Sequence, residues 1–599
     1  MQLIPQVKHL QERDLTFSLG PGTSILGKTD STLLFIAQEI KDFILKELGF
    51  DLTILGRPQD QQIEFRLKDI PGDYQIDIDT KTILIQAKDY QGLFYGLQTL
   101  KQVIILKGRH LPGLTIRDQA DFGNRGYYHD VTRAKVPTLS QLMKLADLMA
   151  SFKLNQLQLY VEHTYLYQGQ SEVWTKTDPL TAEEILLLDD YCSKRYIELV
   201  PSISTFGHLY ELLQSQSFSH LSEIDTCQGF SFVDRMNHHT LDISNDQSIQ
   251  VVKEMIDDFI PLFRSKQFNI CADETFDLGE GKNQQLAKEL GKSKLYVDFL
   301  LQIINHVKGH QKEIMFWGDI IIKYPDHIKD LPQDLICLNW WYWLNYPEDK
   351  VRLIAENGFR QYMCPGVNGW NTLMNNHRMA YDNNKLMVDY GKRYQALGIL
   401  NTDWGDYGHW NPLSTSVPGL IYGAAFSWGE TRSYQDLNQA IDQVYFHQEG
   451  LMEVLDRISQ NHFFTLLPLV QYMEKGLTPY LERIALTDQA IEDSQVQIRA
   501  DLDRLLDYMV TARPACRYHL AWFHQMTQGI ELFNDLYPLI ANRAFNKNHQ
   551  VRRSPSALAQ DLEYWFYDYK KLWLKDNKPS ELYRLKDFIQ TTCQWLRTY

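Results

Sequence analysis

Two adjacent carboxylates, Asp273 and Glu274, stand in the run CADETF, directly after the apolar stretch FNI. Neighbouring acids can divide general acid catalysis from charge stabilisation when their surroundings hold them in different protonation states. On an extended backbone adjacent side chains point to opposite faces, so the pair is expected to occupy two environments. The same dipeptide would equally serve as an acidic cap on a following helix, where it accepts exposed N–H groups, and alone it names no reaction. Further polar and aromatic side chains flank short apolar runs: Arg125 at the start of the first, and, after later ones, Glu162 with His163, His208, Trp317 with Asp319, Trp340 with Tyr342, Trp370, and Trp404 with Asp406. Singly, Arg125 reads as a structural ion pair, His208 as a core imidazole and each Trp as packing. Their shared placement singles them out.

The elements that must position these residues follow from periodicity. YQIDID and TILIQA alternate apolar and polar positions and read as a hairpin. In KDYQGLFYGLQTLKQVI, Leu93, Leu97, Leu100 and Ile104 recur at helical spacing, with Gly92 and Gly96 permitting close packing on a sheet. Residues 1–120 are therefore expected to form an α+β domain. From Arg125, short apolar runs alternate with longer amphipathic stretches. The strand candidates GYYHDV, QLQLYV, IELVPS, FNICA, EIMFW, LICLNW, RQYMC and GILNT predict an α/β fold, a (β/α)8 TIM barrel over residues 121–440. A doubly wound sheet is the alternative, but no glycine-rich phosphate loop follows the first strand. Residues 441–599 show long amphipathic stretches without strand signals and predict an all-helical C-terminal domain. Its apolar stripes serve helix packing, with the rest open to a subunit interface such as a homodimer's.

Composition excludes several classes. A formal net charge of −15 and the lack of a Lys/Arg stripe argue against a nucleic-acid surface. No apolar run reaches the length that crosses a bilayer, so no membrane partner is expected. The N-terminal segment lacks a basic region followed by an apolar one, and 7 Cys scattered without CxxC pairs suit a reducing compartment, so the cytoplasm is expected. The 13 Trp and 33 Tyr include a group at Trp340, Trp341, Trp343, Trp370, Trp404, Trp410 and Trp428. Flat aromatic faces of this kind suit the apolar face of a pyranose.

Taken together, CADETF, RGYYHDVTRAKVP, PSISTFGHL and the segment from Ile83 to Ile104 resemble family 20 glycoside hydrolases, the β-N-acetylhexosaminidases. The likeness covers about residues 70–430. Cys271 and Ala272 replace the two glycines that usually precede the family's acidic pair. The resemblance implies an exo-acting enzyme that removes terminal N-acetylhexosamine from an oligosaccharide or glycoconjugate, with no cofactor. It implies that Glu274 protonates the departing oxygen and later deprotonates water, while Asp273 steers the substrate's own acetamido group as nucleophile. It further implies that Arg125 holds the outer hydroxyls of the sugar, that Trp317, Trp340 and Trp404 wall the ring and acetamido methyl, and that Tyr342 donates to the acetamido oxygen, with Trp370 a further substrate-binding candidate. His208 joins the supporting network. Where the family carries His-x-x-Asp, this chain has YVEHTY, so Glu162 or His163 takes that supporting role. Trp404 with Asp406, directly after a strand, is preferred for the sugar-binding pair over Trp428 with Glu430.

Two rival readings accompany this one. A metal-dependent barrel would recruit His208, His238, His239, Asp242, Asp273 and Glu274, although no HxH or HExxH unit is present. A non-catalytic sugar-binding protein would keep the aromatic pocket without turnover.

Overall fold

A computed structural model describes residues 1–225, 229–476 and 479–599. The chain divides into two compact units: one holds residues 1–125, 147–155 and 421–452, the other residues 126–146, 156–420 and 453–599.

The first unit carries a mixed 7-stranded sheet. At its centre Tyr74–Ile78 pairs antiparallel with Thr82–Ala87, with Ile76 opposite Ile85, as the alternation in those runs predicts. The helix Tyr90–Lys107 lies on this sheet and buries Leu93, Leu97, Leu100 and Ile104. Gly92 has no room for a side chain, since a Cβ there would sit 2.2 Å from the Asp73 carbonyl oxygen.

The second unit is built on eight parallel strands: β1 (Asn124–Asp130), β2 (Gln156–Tyr160), β3 (Glu198–Val200), β4 (Gln267–Asn269), β5 (Glu313–Trp317), β6 (Ile336–Trp340), β7 (Arg360–Cys364) and β8 (Gly398–Asp403). Their order is β3-β2-β1-β8-β7-β6-β5-β4, and a parallel bridge between Ser202 and Asn269 joins the two ends into a barrel. All eight runs expected from the sequence are strands. Helices between them cover the outside, which is why the strands read as apolar runs with little alternation.

Side chains from every strand fill the interior in layers, as a closed eight-stranded barrel requires. Amides pair across the interior: Gln156 donates to Gln267 Oε1 at 2.8 Å at the strand starts, and Asn269 donates to Gln158 Oε1 at 3.0 Å further along. The larger interior cluster includes Tyr128, Tyr160, Met315, Trp317, Leu338, Tyr362, Leu400 and Trp404. Its upper aromatic members, Tyr128, Trp317 and Trp404, lie with ring centroids 5.0 to 5.7 Å apart. Trp317 and Trp404 also line the pocket described below.

Beyond residue 453 the chain is helical, and these helices belong to the same compact unit as the barrel. Thr138 N donates to the Asp576 carbonyl at 3.0 Å, Lys578 N to that of Val136 at 2.9 Å, and Ser580 Oγ to that of Ala134 at 2.9 Å. The loop after β1 is therefore laced to the C-terminal segment along its backbone. Among the described residues, no helix is long and apolar enough to cross a membrane. Cys271, Cys337, Cys364 and Cys593 are buried thiols, while Cys227 lies outside the described residues.

Candidate active site

A pocket of about 610 Å³ opens at the C-terminal ends of the barrel strands, lined by Arg133, His208, Met236, Asp273, Glu274, Trp317, Trp340, Tyr342, Trp343, Trp370, Trp404 and Asp406. This is the end of a (β/α)8 barrel at which loops bring together residues from different strands.

The acidic pair is presented by an unusual backbone. β4 ends at Asn269, and Cys271, Ala272 and Glu274 take φ of 54°, 65° and 48°. These values fall in the left-handed region that side chains other than glycine's disfavour. The segment is held there from several sides. Asn269 Oδ1 accepts from Cys271 N at 2.9 Å, Tyr296 Oη donates to the Ala272 carbonyl at 2.8 Å, and Thr205 Oγ1 donates to that of Ile270 at 2.6 Å. Gly207 is needed beside it, because a Cβ would meet the Asp273 carbonyl oxygen at 2.5 Å. The extended geometry expected for the pair is thus replaced by a kink, and both carboxylates reach one partner. Asp273 Oδ2 and Glu274 Oε2 each lie 3.3 Å from His208 Nε2. A turn rather than a helix follows, the next helix starting at Gln284, so the pair is not a helix cap.

Their environments still differ. The Asp273 side chain is 11% exposed and that of Glu274 28%. Asp273 Oδ1 is buried with no hydrogen-bond partner among the described residues. Burial alone would push the His208 imidazole down, but the charge of Asp273 and hydrogen bonds to both carboxylates raise it to about 10. A fixed cation therefore sits between the acids. His239 stacks on His208 with centroids 4.3 Å apart and accepts the His208 backbone N–H through Nδ1 at 2.7 Å. Burial and the His208 charge hold His239 well below the usual imidazole range, which keeps Nδ1 an acceptor. Asp319, whose Oδ2 accepts from Glu274 N at 3.3 Å, is pushed well above the usual carboxylate range by burial and by the charges of Asp273 and Glu274.

Opposite the acids, Arg133 reaches the pocket from the loop after β1. Its Nη1 lies 3.0 Å from Asp130 Oδ2 and 3.1 Å from Asp406 Oδ1, and its guanidinium is 5.0 Å from the Tyr160 ring centroid and 5.2 Å from that of Trp404. Asp406 is raised to about 6 by burial, against the opposing effect of Arg133. Trp404 Nε1 donates to Tyr342 Oη at 2.6 Å, which leaves the phenolic hydrogen to donate elsewhere. Trp340 stacks on Tyr342 at 5.2 Å, and Trp370 meets the same ring at 4.7 Å.

Of the residues predicted from sequence, Asp273, Glu274, His208, Trp317, Trp340, Tyr342, Trp370, Trp404 and Asp406 line this one pocket. Arg125, Glu162, His163 and Asp319 do not: the expected sugar-binding role of Arg125 is corrected, and Glu162 makes no direct contact with the pocket. Arg125 lies at the N-terminal start of β1, 3% exposed. Its guanidinium donates to Phe122 O at 2.8 Å, Lys153 O at 3.0 Å and Tyr95 Oη at 2.7 Å, and lies 4.9 Å from the Trp428 ring centroid. Every donor is directed into the first unit's interior, and the pocket's arginine is Arg133 instead. Glu162 is buried in a charge network: it accepts from Tyr160 Oη at 2.8 Å and Arg235 Nη2 at 3.2 Å, with Arg133 Nε 3.9 Å away. It supports the site from behind. The Trp428 and Glu430 pair belongs to the first unit, where Trp428 Nε1 donates to Asp118 Oδ2 at 3.0 Å and Glu430 pairs with Arg432.

The charge network continues into the C-terminal helices. Fully buried Glu581 lies 3.2 Å from Arg235 Nη1, 3.0 Å from Arg584 Nε and 3.4 Å from His163 Nε2. Arg235 thereby links Glu581 to Glu162, and Glu162 neighbours Arg133.

Of the residues considered as metal ligands, only His208, Asp273 and Glu274 converge, within 4.8 Å of one another. The His238 ring turns to Asp277, the His239 ring accepts from His208 N, and Asp242 accepts from Ser244 and Asn283. A second His/Asp group, Asp257 with His306 and His310, stands at partly exposed helix positions and does not line the pocket.

Residues 1–119 match the family model "Glycosyl hydrolase family 20, domain 2", and residues 122–441 match "Glycosyl hydrolase family 20, catalytic domain". The chain is similar to a β-hexosaminidase of Porphyromonas gingivalis, 24% identical over 54% of this chain, and spans about half of that relative, 46% of its length. It is 22% identical to human hexosaminidase D over 76% of this chain and 91% of that one. In structure it resembles a chitobiase of Flavobacterium johnsoniae with a TM-score of 0.62 and 18% identity, covering 96% of this chain and 99% of the other.

Proposed function

The chain belongs to glycosyl hydrolase family 20, and on that premise we propose that it is an exo-β-N-acetylhexosaminidase, releasing terminal β-linked GlcNAc or GalNAc with retention through substrate-assisted catalysis. One observation carries the mechanism: Asp273 Oδ2 lies 3.3 Å from His208 Nε2 while its buried Oδ1 has no hydrogen-bond partner among the described residues.

A buried carboxylate oxygen with an unused lone pair attracts an N–H donor strongly, because leaving it unsatisfied costs about 1–3 kcal/mol or more. The acetamido N–H of a bound sugar is such a donor. Held there, the acetamido carbonyl oxygen attacks the anomeric carbon, and the positive charge that develops on the resulting ring faces Asp273. The nucleophile is tethered to the reacting carbon, so the entropic cost of bimolecular attack is absent. Glu274, more open than Asp273, donates its proton to the leaving oxygen and takes one from the incoming water. Tyr342 supplies its free hydrogen to the acetamido oxygen, and Trp317, Trp340 and Trp404 give the methyl group and ring an apolar wall. Arg133 and Asp406 bind the outer hydroxyls with charge-assisted hydrogen bonds and close the pocket, which confines it to a terminal residue. No step draws on a metal, since the fixed cation is His208. We place the protein in the cytoplasm, where buried thiols such as Cys271 and Cys337 stay reduced.

Incubation with the 4-nitrophenyl β-glycosides of GlcNAc, GalNAc, glucose and galactose tests the proposal. Hydrolysis confined to the N-acetylated pair, lost in Asp273→Asn, supports it. Turnover of the glucoside, or binding of GlcNAc without hydrolysis, refutes it.

A further inference from the structure

Beside the sugar pocket lies a second cavity of about 1230 Å³ that shares Glu274 and Trp340 with it and extends past Phe276 and Tyr324 to Lys292, Lys323 and Lys350. Its role follows from Glu274 and rests on the function proposed above. Arg133 and Asp406 close the sugar pocket, and Glu274 protonates the departing oxygen. The group attached to that oxygen must therefore leave along the face of Glu274, into the cavity that Glu274 also lines.

Lys292 is paired with Glu280. Lys323 and Lys350 have no ion-pair partner among the described residues. Instead, Lys323 lies 5.5 Å from the Tyr324 ring centroid and Lys350 lies 5.3 Å from that of Trp341. The remaining acids lining the cavity are engaged elsewhere: Glu274 Oε2 lies 3.3 Å from His208 Nε2, and Asp319 Oδ2 accepts from Glu274 N at 3.3 Å. Lys323 and Lys350 thus bring cationic side chains without ion-pair partners among the described residues to a chain whose formal net charge is −15. Phe276, 51% exposed, and Trp340 add flat apolar surface of the kind that takes a sugar ring.

We propose that this cavity is the leaving-group site and that it selects an aglycone bearing a negative charge, a sugar ring carrying a carboxylate or sulfate, with Lys323 and Lys350 as specificity determinants. The two lysines come from separate elements, α-helix Asp319–Lys323 and α-helix Glu348–Glu356, and line the same cavity.

The test uses disaccharides that differ at one carbon: β-GlcNAc-(1→4)-glucuronic acid, β-GlcNAc-(1→4)-glucose and its glucose-6-sulfate analogue. The full-length protein should show kcat/KM on the order of tenfold higher for the charged disaccharides at low salt, the preference shrinking at about 0.5 M salt where screening acts within a few ångströms. The ratio of charged to neutral substrate should fall to about one in Lys323→Gln/Lys350→Gln, an internal measure that partial unfolding does not mimic because both substrates would suffer equally. The carboxylate and sulfate arms distinguish which anion is preferred. Equal kcat/KM for charged and neutral disaccharides in the unmodified protein, or a preference that survives in the double variant, overturns the proposal. Failure to hydrolyse 4-nitrophenyl N-acetylglucosaminide overturns the enzymatic reading itself, and this inference with it.

Discussion

Exchanging the two arginines that flank β1 separates a binding residue from a structural one. Arg133→Lys keeps a positive charge beside Asp130 and Asp406 but removes the planar fork that can bind a carboxylate and a sugar hydroxyl together. Nη1 of Arg133 lies between Asp130 and Asp406, at 3.0 and 3.1 Å, which fixes the guanidinium in the wall of the pocket. Losing one charge-assisted hydrogen bond to substrate costs about 1.5–3 kcal/mol, or roughly 10- to 100-fold in kcat/KM. The change should appear mainly in KM if the bond is equal in ground and transition states, and in kcat if it strengthens as the ring flattens. Arg133→Ala should do more, since an unpaired buried carboxylate costs about 3–5 kcal/mol of stability. Arg125→Lys breaks donations to Phe122, Lys153 and Tyr95 and should lower the thermal midpoint while leaving kcat/KM within roughly threefold. Steady-state kinetics with the 4-nitrophenyl N-acetylglucosaminide and a thermal melt on each variant decide the matter. Normal kcat/KM in Arg133→Lys together with collapse in Arg125→Lys would refute the reasoning.

Glu274→Gln should reduce turnover of poor leaving groups by about 10²–10⁴-fold and that of 4-nitrophenyl glycosides less, because a nitrophenolate departs without a proton. Equal losses on both substrates would argue against its acid role. Asp406 ionises near 6, above the usual aspartate value, so its carboxylate form is gained as pH rises through that point. The acid limb of kcat/KM should carry a step near pH 6 that Asp406→Asn removes, as a pH profile of both proteins will show. His208 has the opposite linkage. Its folded value of about 10 exceeds the ordinary imidazole value, so its contribution to stability is complete below about pH 6.5 and lost as pH rises toward 10. Denaturation midpoints measured between those limits should fall less in Asp273→Asn than in the unmodified protein. Glu581→Gln uncouples Arg235 and Arg584 from the barrel and should cost about 3–5 kcal/mol by denaturant titration, with KM raised in the protein that remains folded.

The contrast between Arg125 and Arg133 shows how much of the site the sequence carries. Both lie in RGYYHDVTR, and either could be the sugar-binding arginine by motif alone. The strand between them decides. β1 occupies residues 124–130, and at about 3.3 Å per residue its ends are some 20 Å apart, so Arg125 enters at the closed end of the barrel and Arg133 follows the open end. The rule that function gathers after the strands, applied strictly, selects Arg133. Trp404 and Asp406 obey that rule and were legible, as were the eight strands, because each is a short apolar run buried on both faces. Glu162 was not. Its position after β2 fits the rule, but partners 73 residues away at Arg235, and through it 419 residues away at Glu581, bury it behind the pocket. Pairings over such separations leave no local pattern.

Cys271 and Ala272 carry a different lesson, since the sequence exposes the anomaly and the structure supplies its cause. The chain turns left-handed here, a conformation that suits glycine, and this protein makes the turn with a thiol and a methyl group in place of hydrogen. Each such residue costs on the order of 1–3 kcal/mol. The cost is met by contacts that fix the segment: the Asn269 side chain, Tyr296, Thr205 and the close approach of Gly207. An extended strand end would have sent Asp273 and Glu274 to opposite faces. The left-handed turn brings both carboxylates onto one imidazolium while leaving one oxygen of Asp273 open, and that asymmetry is what lets two identical functional groups take different parts in one reaction.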